Sequence, residues 1–89
     1  MAQQAIGMLE TKGLVVLVGA TDAMLKAANV KLMSWRKVGS GYCSSYITGD
    51  VAAVKAAIDV GASAVRESGE LVAAEVLPRP HDDLMVVIS

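Results

Sequence analysis

One stretch of this chain gathers most of the side chains that could do chemistry. Residues 36–50, RKVGSGYCSSYITGD, hold Lys37, the run Gly39-Ser40-Gly41, the single cysteine Cys43 and both tyrosines, Tyr42 and Tyr46. Glycines beside a hydroxyl and an ammonium could cradle a phosphate. A thiol could ligate a metal, and tyrosines could stack on bases. Each possibility has a spacing requirement. GSG falls well short of G-x-x-x-x-G-K-[ST] or G-x-G-x-x-G. It also leads into a strand-like segment, so no helix N-terminus would face an anion. A zinc site needs several His or Cys ligands at set spacings, and the chain has one of each, far apart, at His81 and Cys43. RNA-recognition sheets stack bases on aromatics of the central strands. Trp35, Tyr42 and Tyr46 fall there, but the first strand has no aromatic and phenylalanine is absent. His81 is followed by Asp82 and Asp83, which places a base beside acids but fixes none of the reach that general acid–base work requires; it reads as a surface residue that helps cap the tail. No G-x-S-x-G pattern is present. No residue is assigned a catalytic role, no cofactor is implied, and the chain does not read as an enzyme.

The bulk properties narrow the class further. Eighty-nine residues make one domain with a modest core. Hydrophobic residues make up 54%, above the usual ~45–50%. A small domain with such a surplus hides part of it against copies of itself, so homo-oligomerisation is expected. A net charge of −1 argues against a nucleic-acid footprint, which clusters Lys and Arg. One cysteine forms no intrachain disulfide and suits a reducing cytosol. The start MAQQAIGMLETKG lacks a basic n-region. No apolar run approaches the ~18 residues of a membrane span. A cytoplasmic protein with no membrane or nucleic-acid partner is expected.

The elements that must position the glycine run follow from periodicity. AIGMLE predicts a strand at 5–10, and residues 13–29 a helix whose buried stripe is Leu14, Leu17, Val18, Thr21, Met24, Leu25 and Ala28. Asp22 stands four residues before Lys26, the favourable order for a helical ion pair, and Asn29 is a candidate left-handed stop. Strands at 30–38 and 42–48 flank the glycine run as an antiparallel hairpin. Asp50 is a good N-cap for a helix over 51–68 with Val51, Val54, Ile58, Ala62 and Val65 inward, and Gly69 ends it. A last strand at 70–78 stops at Pro78 and Pro80, and the tail 82–89 predicts a short C-terminal helix. Strand, helix, strand, strand, helix, strand is the α+β, ferredoxin-like order: a four-stranded antiparallel sheet with two main helices on one face. The first and last strands carry apolar groups on both faces, so a further surface needs covering by the tail or a neighbouring subunit.

Taken together, AIGMLETKGL, ATDAMLKAANVKL, KVGSG, GDVAAVKAAIDVGA and LPRPH resemble, in order and spacing, the bacterial microcompartment (BMC-domain) shell proteins. The likeness is to the single-domain, hexamer-forming type of propanediol- and ethanolamine-utilisation compartments and of carboxysomes. It covers roughly residues 4–81 of a single domain spanning 1–89, with a tail at 82–89. The resemblance implies cyclic homohexamers that tile edge to edge into a facet of a cytoplasmic shell, beside other shell proteins and around encapsulated enzymes. It implies that Lys37, Val38, Gly39, Ser40 and Gly41 form a pore loop at the sixfold axis, where small polar metabolites cross. It places Lys26, Asn29, Arg79 and His81 at the hexamer–hexamer edge. The other reading is an oligomeric ferredoxin-like regulatory domain that binds a small molecule between subunits.

The chain also departs from that family. Gly19 stands where glutamate is common, Thr48 where arginine is, and Glu75 where histidine is frequent. The strand YCSSYIT is more polar than usual. Cys43 reads as a buried small hydrophobe; in a symmetric ring it would become a ring of thiols beside the pore, able to hold a metal or cluster.

Overall fold

The computed structural model describes residues 4–78. The expected C-terminal helix, Arg79 and His81 lie outside those residues. Six elements follow one another: β1 (Ala5–Lys12), α1 (Leu14–Ala27), β2 (Lys31–Gly39), β3 (Tyr42–Gly49), α2 (Val51–Ser68) and β4 (Glu70–Leu77). The strands form one sheet in the order β2-β3-β1-β4, antiparallel at every pairing. This is the ferredoxin-like arrangement that the element order predicts.

Alternation along the strands sorts residues onto two faces. Ala5, Leu9 and Thr11 of β1 and Cys43, Ser45 and Ile47 of β3 are buried and belong to the same side of the paired register. They meet Leu17, Ala20 and Met24 of α1 and Val54, Ala57, Ile58, Ala62 and Val65 of α2. Burial of each large aliphatic there contributes about 1.5–3 kcal/mol. Two glycines let the layers close. A Cβ on Gly61 of α2 would sit 2.7 Å from the Met24 side chain, and one on Gly69 would sit 2.7 Å from Val16. The polar atoms trapped in this layer are paired: Thr21 Oγ1 donates to Ser45 Oγ at 3.1 Å.

Asp50 caps α2 as its sequence predicts, its carboxylate accepting from the Ala53 N–H at 2.9 Å. The expected stop at Asn29 differs. α1 ends through Ala28 in extended backbone (φ −150°, ψ 163°), and Asn29 is not left-handed. Gly69 is extended too (φ −167°), so its lack of a side chain serves Val16 rather than a left-handed turn.

The buried stripe of α1 also differs from expectation. Leu17 and Met24 are buried, but Leu14, Val18 and Leu25 stay exposed, Val18 by 60%. The helix lies over β1 and β3 and leans on α2 through Met24 and Gly61. Its other flank looks toward β2, an outer strand, and among the described residues nothing covers it. Gly19 is on the exposed side, with no atom within 4 Å of a built Cβ. Gly19→Ala is therefore expected to raise stability by about 1 kcal/mol, measured as a higher urea midpoint with unchanged slope.

Candidate functional site

Every residue from Lys37 to Gly41 is exposed. β2 runs through Gly39, and only Ser40 and Gly41 form the turn, a two-residue hairpin shorter than the expected loop. The backbone is unusual in that three successive residues have positive φ: Gly39 at 112°, Ser40 at 53° and Gly41 at 83°. Positive φ at both central residues matches a type I′ turn, whose twist suits a right-handed hairpin. Ser40 is the only described non-glycine residue in that region, at a cost of about 1 kcal/mol. Gly39 is an added positive-φ residue where the pairing slips: Lys37 pairs with Cys43 and Gly39 with Tyr42, leaving Val38 as the extra residue. A side chain on Gly39 would meet nothing within 4 Å. Within one subunit its glycine answers a backbone angle, not crowding.

The hairpin is anchored to the domain behind it. The Gly13 N–H donates to the Gly41 carbonyl at 2.7 Å. Gly13 itself has φ 105° and begins α1 without a side-chain cap. Thr11 Oγ1 in turn donates to the Gly13 carbonyl at 3.1 Å. Lys12 at the end of β1 sets its ammonium 6.0 Å from the Tyr42 ring centre, within cation–π range. The base of the hairpin also borders a hollow of about 230 Å³ lined by Gly13, Leu14, Lys37, Gly39, Gly41, Tyr42 and Cys43. The result is a short exposed tip of backbone amides, one hydroxyl and one ammonium on a fixed base.

Cys43 stands beside this tip but is only 2% exposed. Its sulfur lies 3.6 Å from Thr11 Oγ1, in the layer under the helices. Among the described residues no three His, Cys, Asp or Glu side chains come together as a metal site.

The second pair of expected residues lies at the far end of the sheet. Lys26 occupies the last turn of α1 and is exposed. Its ammonium is 2.8 Å from the Asp22 carboxylate, and that hydrogen bond and charge hold the lysine above its ordinary range. Asn29 is exposed two residues past the helix, its carbonyl facing Gly49. Gly49 pairs with Ala5, and Leu77 of β4 pairs with the neighbouring Ile6. β4 therefore ends at the same end of the sheet as Asn29 and the C-terminus of α1. The eight residues of β3 separate this end from the hairpin, a span of ~23 Å at strand rise.

An apolar groove of about 370 Å³ went unrecognised in the sequence. Leu14, Val18 and Leu25 of α1 and Leu32 and Trp35 of β2 line it, with Leu17, Thr21 and Asp22, and Trp35 is 51% exposed. The signal was there in the spacing of Leu14, Val18 and Leu25, but a helical stripe does not say whether its own chain or another buries it. The slip between Leu32 and Ser34 puts Leu32 and Trp35 on one face, which plain alternation over three residues would not.

The BMC domain family model matches residues 5–80. The bacterial microcompartment shell protein EutM of Salmonella typhimurium is 56% identical over 81 residues, 91% of this chain and 84% of that one. The shell protein PduA of Citrobacter freundii is 51% identical over 88 residues, 99% and 95% of the two chains. A crystal structure of a microcompartments protein from Desulfitobacterium hafniense superposes with a TM-score of 0.85 at 32% identity, covering 96% of this chain and 46% of that one. The anchored glycine hairpin, the ferredoxin-like sheet and these likenesses agree, and the chain belongs to the BMC domain family.

Proposed function

We propose that this chain is a structural shell protein of a bacterial microcompartment, working in the cytoplasm as a cyclic hexamer. The hexamers tile edge to edge with copies of themselves and with other shell proteins, around encapsulated enzymes. The whole of 1–89 acts as one shell domain. Lys37 to Gly41 line a pore at the sixfold axis, and Lys26 and Asn29, with Arg79 and His81, form the edge. The observation that carries the reading is the separation of two exposed features: the positive-φ hairpin at one end of the sheet, and Lys26 with Asn29 at the other. One end suits an axis and the other a rim. The relatives' names supply the shell.

At an axis the hairpin has a clear chemical role. Six tips bring backbone N–H groups and Ser40 hydroxyls together, and glycine adds no side chain to block the approach. A small polar metabolite exchanges its water for these groups and passes. A bulky apolar molecule gains nothing from them. Ser40→Leu, read with Ser40→Gly as control, tests this by metabolite flux across assembled shells. The leucine variant is expected to slow polar metabolites severalfold while the glycine variant does not. Equal flux through all three would remove the pore assignment.

A further inference from the structure

We infer that Thr11, buried behind the hairpin tip, is a positioning residue for that tip and sets how sharply the proposed pore discriminates between solutes. This rests on the pore reading of Lys37 to Gly41 and names what holds that pore in shape. Thr11 lies on the helix side of β1 at 0% exposure. A hydroxyl there is cut off from water, a cost that only a hydrogen bond offsets. Valine has nearly the same shape and would fill the site without that cost. What the hydroxyl adds is a bond: Thr11 Oγ1 donates to the Gly13 carbonyl at 3.1 Å. Its one proton is thereby used, so in the 3.6 Å contact with Cys43 the thiol is the donor. The hydroxyl is held from one side and aimed at Gly13 on the other.

Gly13 is the joint through which Thr11 acts. Its φ of 105° suits glycine, and a glycine free to take that angle is equally free to leave it. Both peptide planes that flank Gly13 are held. On one side its N–H donates to the Gly41 carbonyl at 2.7 Å. On the other its carbonyl accepts from the Leu17 N–H at a long 3.3 Å and from Thr11. Peptide planes are rigid, so fixing both fixes Gly13. α1 begins there with no side-chain cap, so no capping side chain secures this corner. The tip needs such a hold. Gly39 and Gly41 loosen it, Ser40 sits at a positive φ, and the strand pairing slips at Val38. Among the described residues, the Gly13 to Gly41 bond is the backbone bond outside the strand ladder that ties the tip to the domain. The Lys12 ammonium, 6.0 Å from the Tyr42 ring centre, is a looser second contact. At a sixfold axis any wavering of the tip is repeated six times, and an opening lined by loose backbone admits what a fixed one excludes. Loss of the hydroxyl frees first the Gly13 carbonyl, then its N–H, and with it the Gly41 carbonyl.

Three variants of the full chain test the role. Thr11→Val keeps the shape and loses the hydroxyl; Thr11→Ala loses both and stands in should the valine fail to fold; Thr11→Ser keeps the hydroxyl. Two readouts are taken: amide hydrogen exchange at Gly13 by NMR, referred to the amides of β1 and β3, and the ratio of glycerol to cyclohexanol flux across assembled shells. Without the hydroxyl, Gly13 exchange is expected to rise at least about tenfold beyond the change at the reference amides. The flux ratio is expected to fall severalfold in the same variants, and Thr11→Ser is expected to keep both values near those of the wild type. Unchanged Gly13 exchange without the hydroxyl, or a serine variant as impaired as the valine, overturns the proposal by reducing Thr11 to packing. Faster exchange with an unchanged flux ratio overturns it too, since the tip would then be tied down to no effect on passage. Wild-type shells that do not discriminate between the two solutes overturn the pore reading itself, a separate failure, because exchange at Gly13 is read without reference to any pore.

Discussion

Lys26→Asp is expected to leave rings intact and to abolish extended sheets, as seen by electron microscopy beside native mass spectrometry. The two readouts separate because of where Lys26 sits. Its side chain is 77% exposed and touches no part of the core. The ion pair with Asp22 spans one helical turn on an open surface, and exposed pairs of that kind contribute little to stability. Reversing the charge sets two carboxylates one turn apart and puts an acid at a helix C-terminus, both small effects at a solvent-exposed position. Folding and ring closure therefore survive. At an edge between discs the consequence is much larger. A lysine laid along a neighbour contributes its stem as well as its charge. Each ring repeats the contact six times, so a small loss per contact multiplies across the lattice. Arg79→Ala is expected to act in the same way. Sheets that persist in both variants would remove the edge assignment.

Gly7→Ala is expected to destabilise the fold by about 2 kcal/mol through overpacking, lowering Tm by ~10 °C for a domain of this length. Gly7 lies in β1 under α2. A Cβ there would come within 2.8 Å of both Ile58 Cγ1 and Val54 Cγ1. Both neighbours are β-branched and stiff at χ1, so neither can swing aside. Both are also buried. Gly61→Ala is expected to cost less, although its Cβ would come as near, at 2.7 Å. The atoms it meets belong chiefly to Met24, whose unbranched chain can rearrange. Thermal unfolding of the two variants together checks the argument. Equal losses would show that contact distance alone, and not the stiffness of the neighbour, sets the cost.

Gly7 and Gly61 mark where the sequence stops being legible. A glycine in a strand or helix shows that something is special, but not which residue lies above it. The element order was readable because α2 has a clean inward stripe, Asp50 is a strong cap, and a glycine run separates two strand-like segments. The inward face of α1 was not readable. Leu14, Val18 and Leu25 sit at helical spacing like core residues, yet they face outward beside β2. The same blindness affects the hairpin. Its glycines were read as room for crowding, while in the folded subunit they first satisfy three successive positive φ angles, and Gly13 ties the tip down. Cys43 was legible as a buried small hydrophobe, and it is buried. Its burial under the helices depends on strand alternation, which places it on the side of Thr11.

Thr48 and Glu75, two departures from the family pattern, share the open face of the sheet on either side of β1. Thr48 lies across from Ile6, and Glu75 across from Met8. Thr48 Oγ1 donates to the Ala5 carbonyl at 2.9 Å, a local bond that an arginine could not make in the same way. Glu75 keeps its carboxylate exposed. The two changes are two residue levels and two strands apart, so they alter the character of the face without compensating each other directly.

If this chain builds a flat shell from rings, electron microscopy of the purified protein will show it. Hexagonally ordered sheets or rolled tubes are expected, with a density minimum at each sixfold axis where the Gly39–Gly41 hairpins converge. Discrete soluble dimers, with no ring in the images or in the mass spectrum, would contradict it.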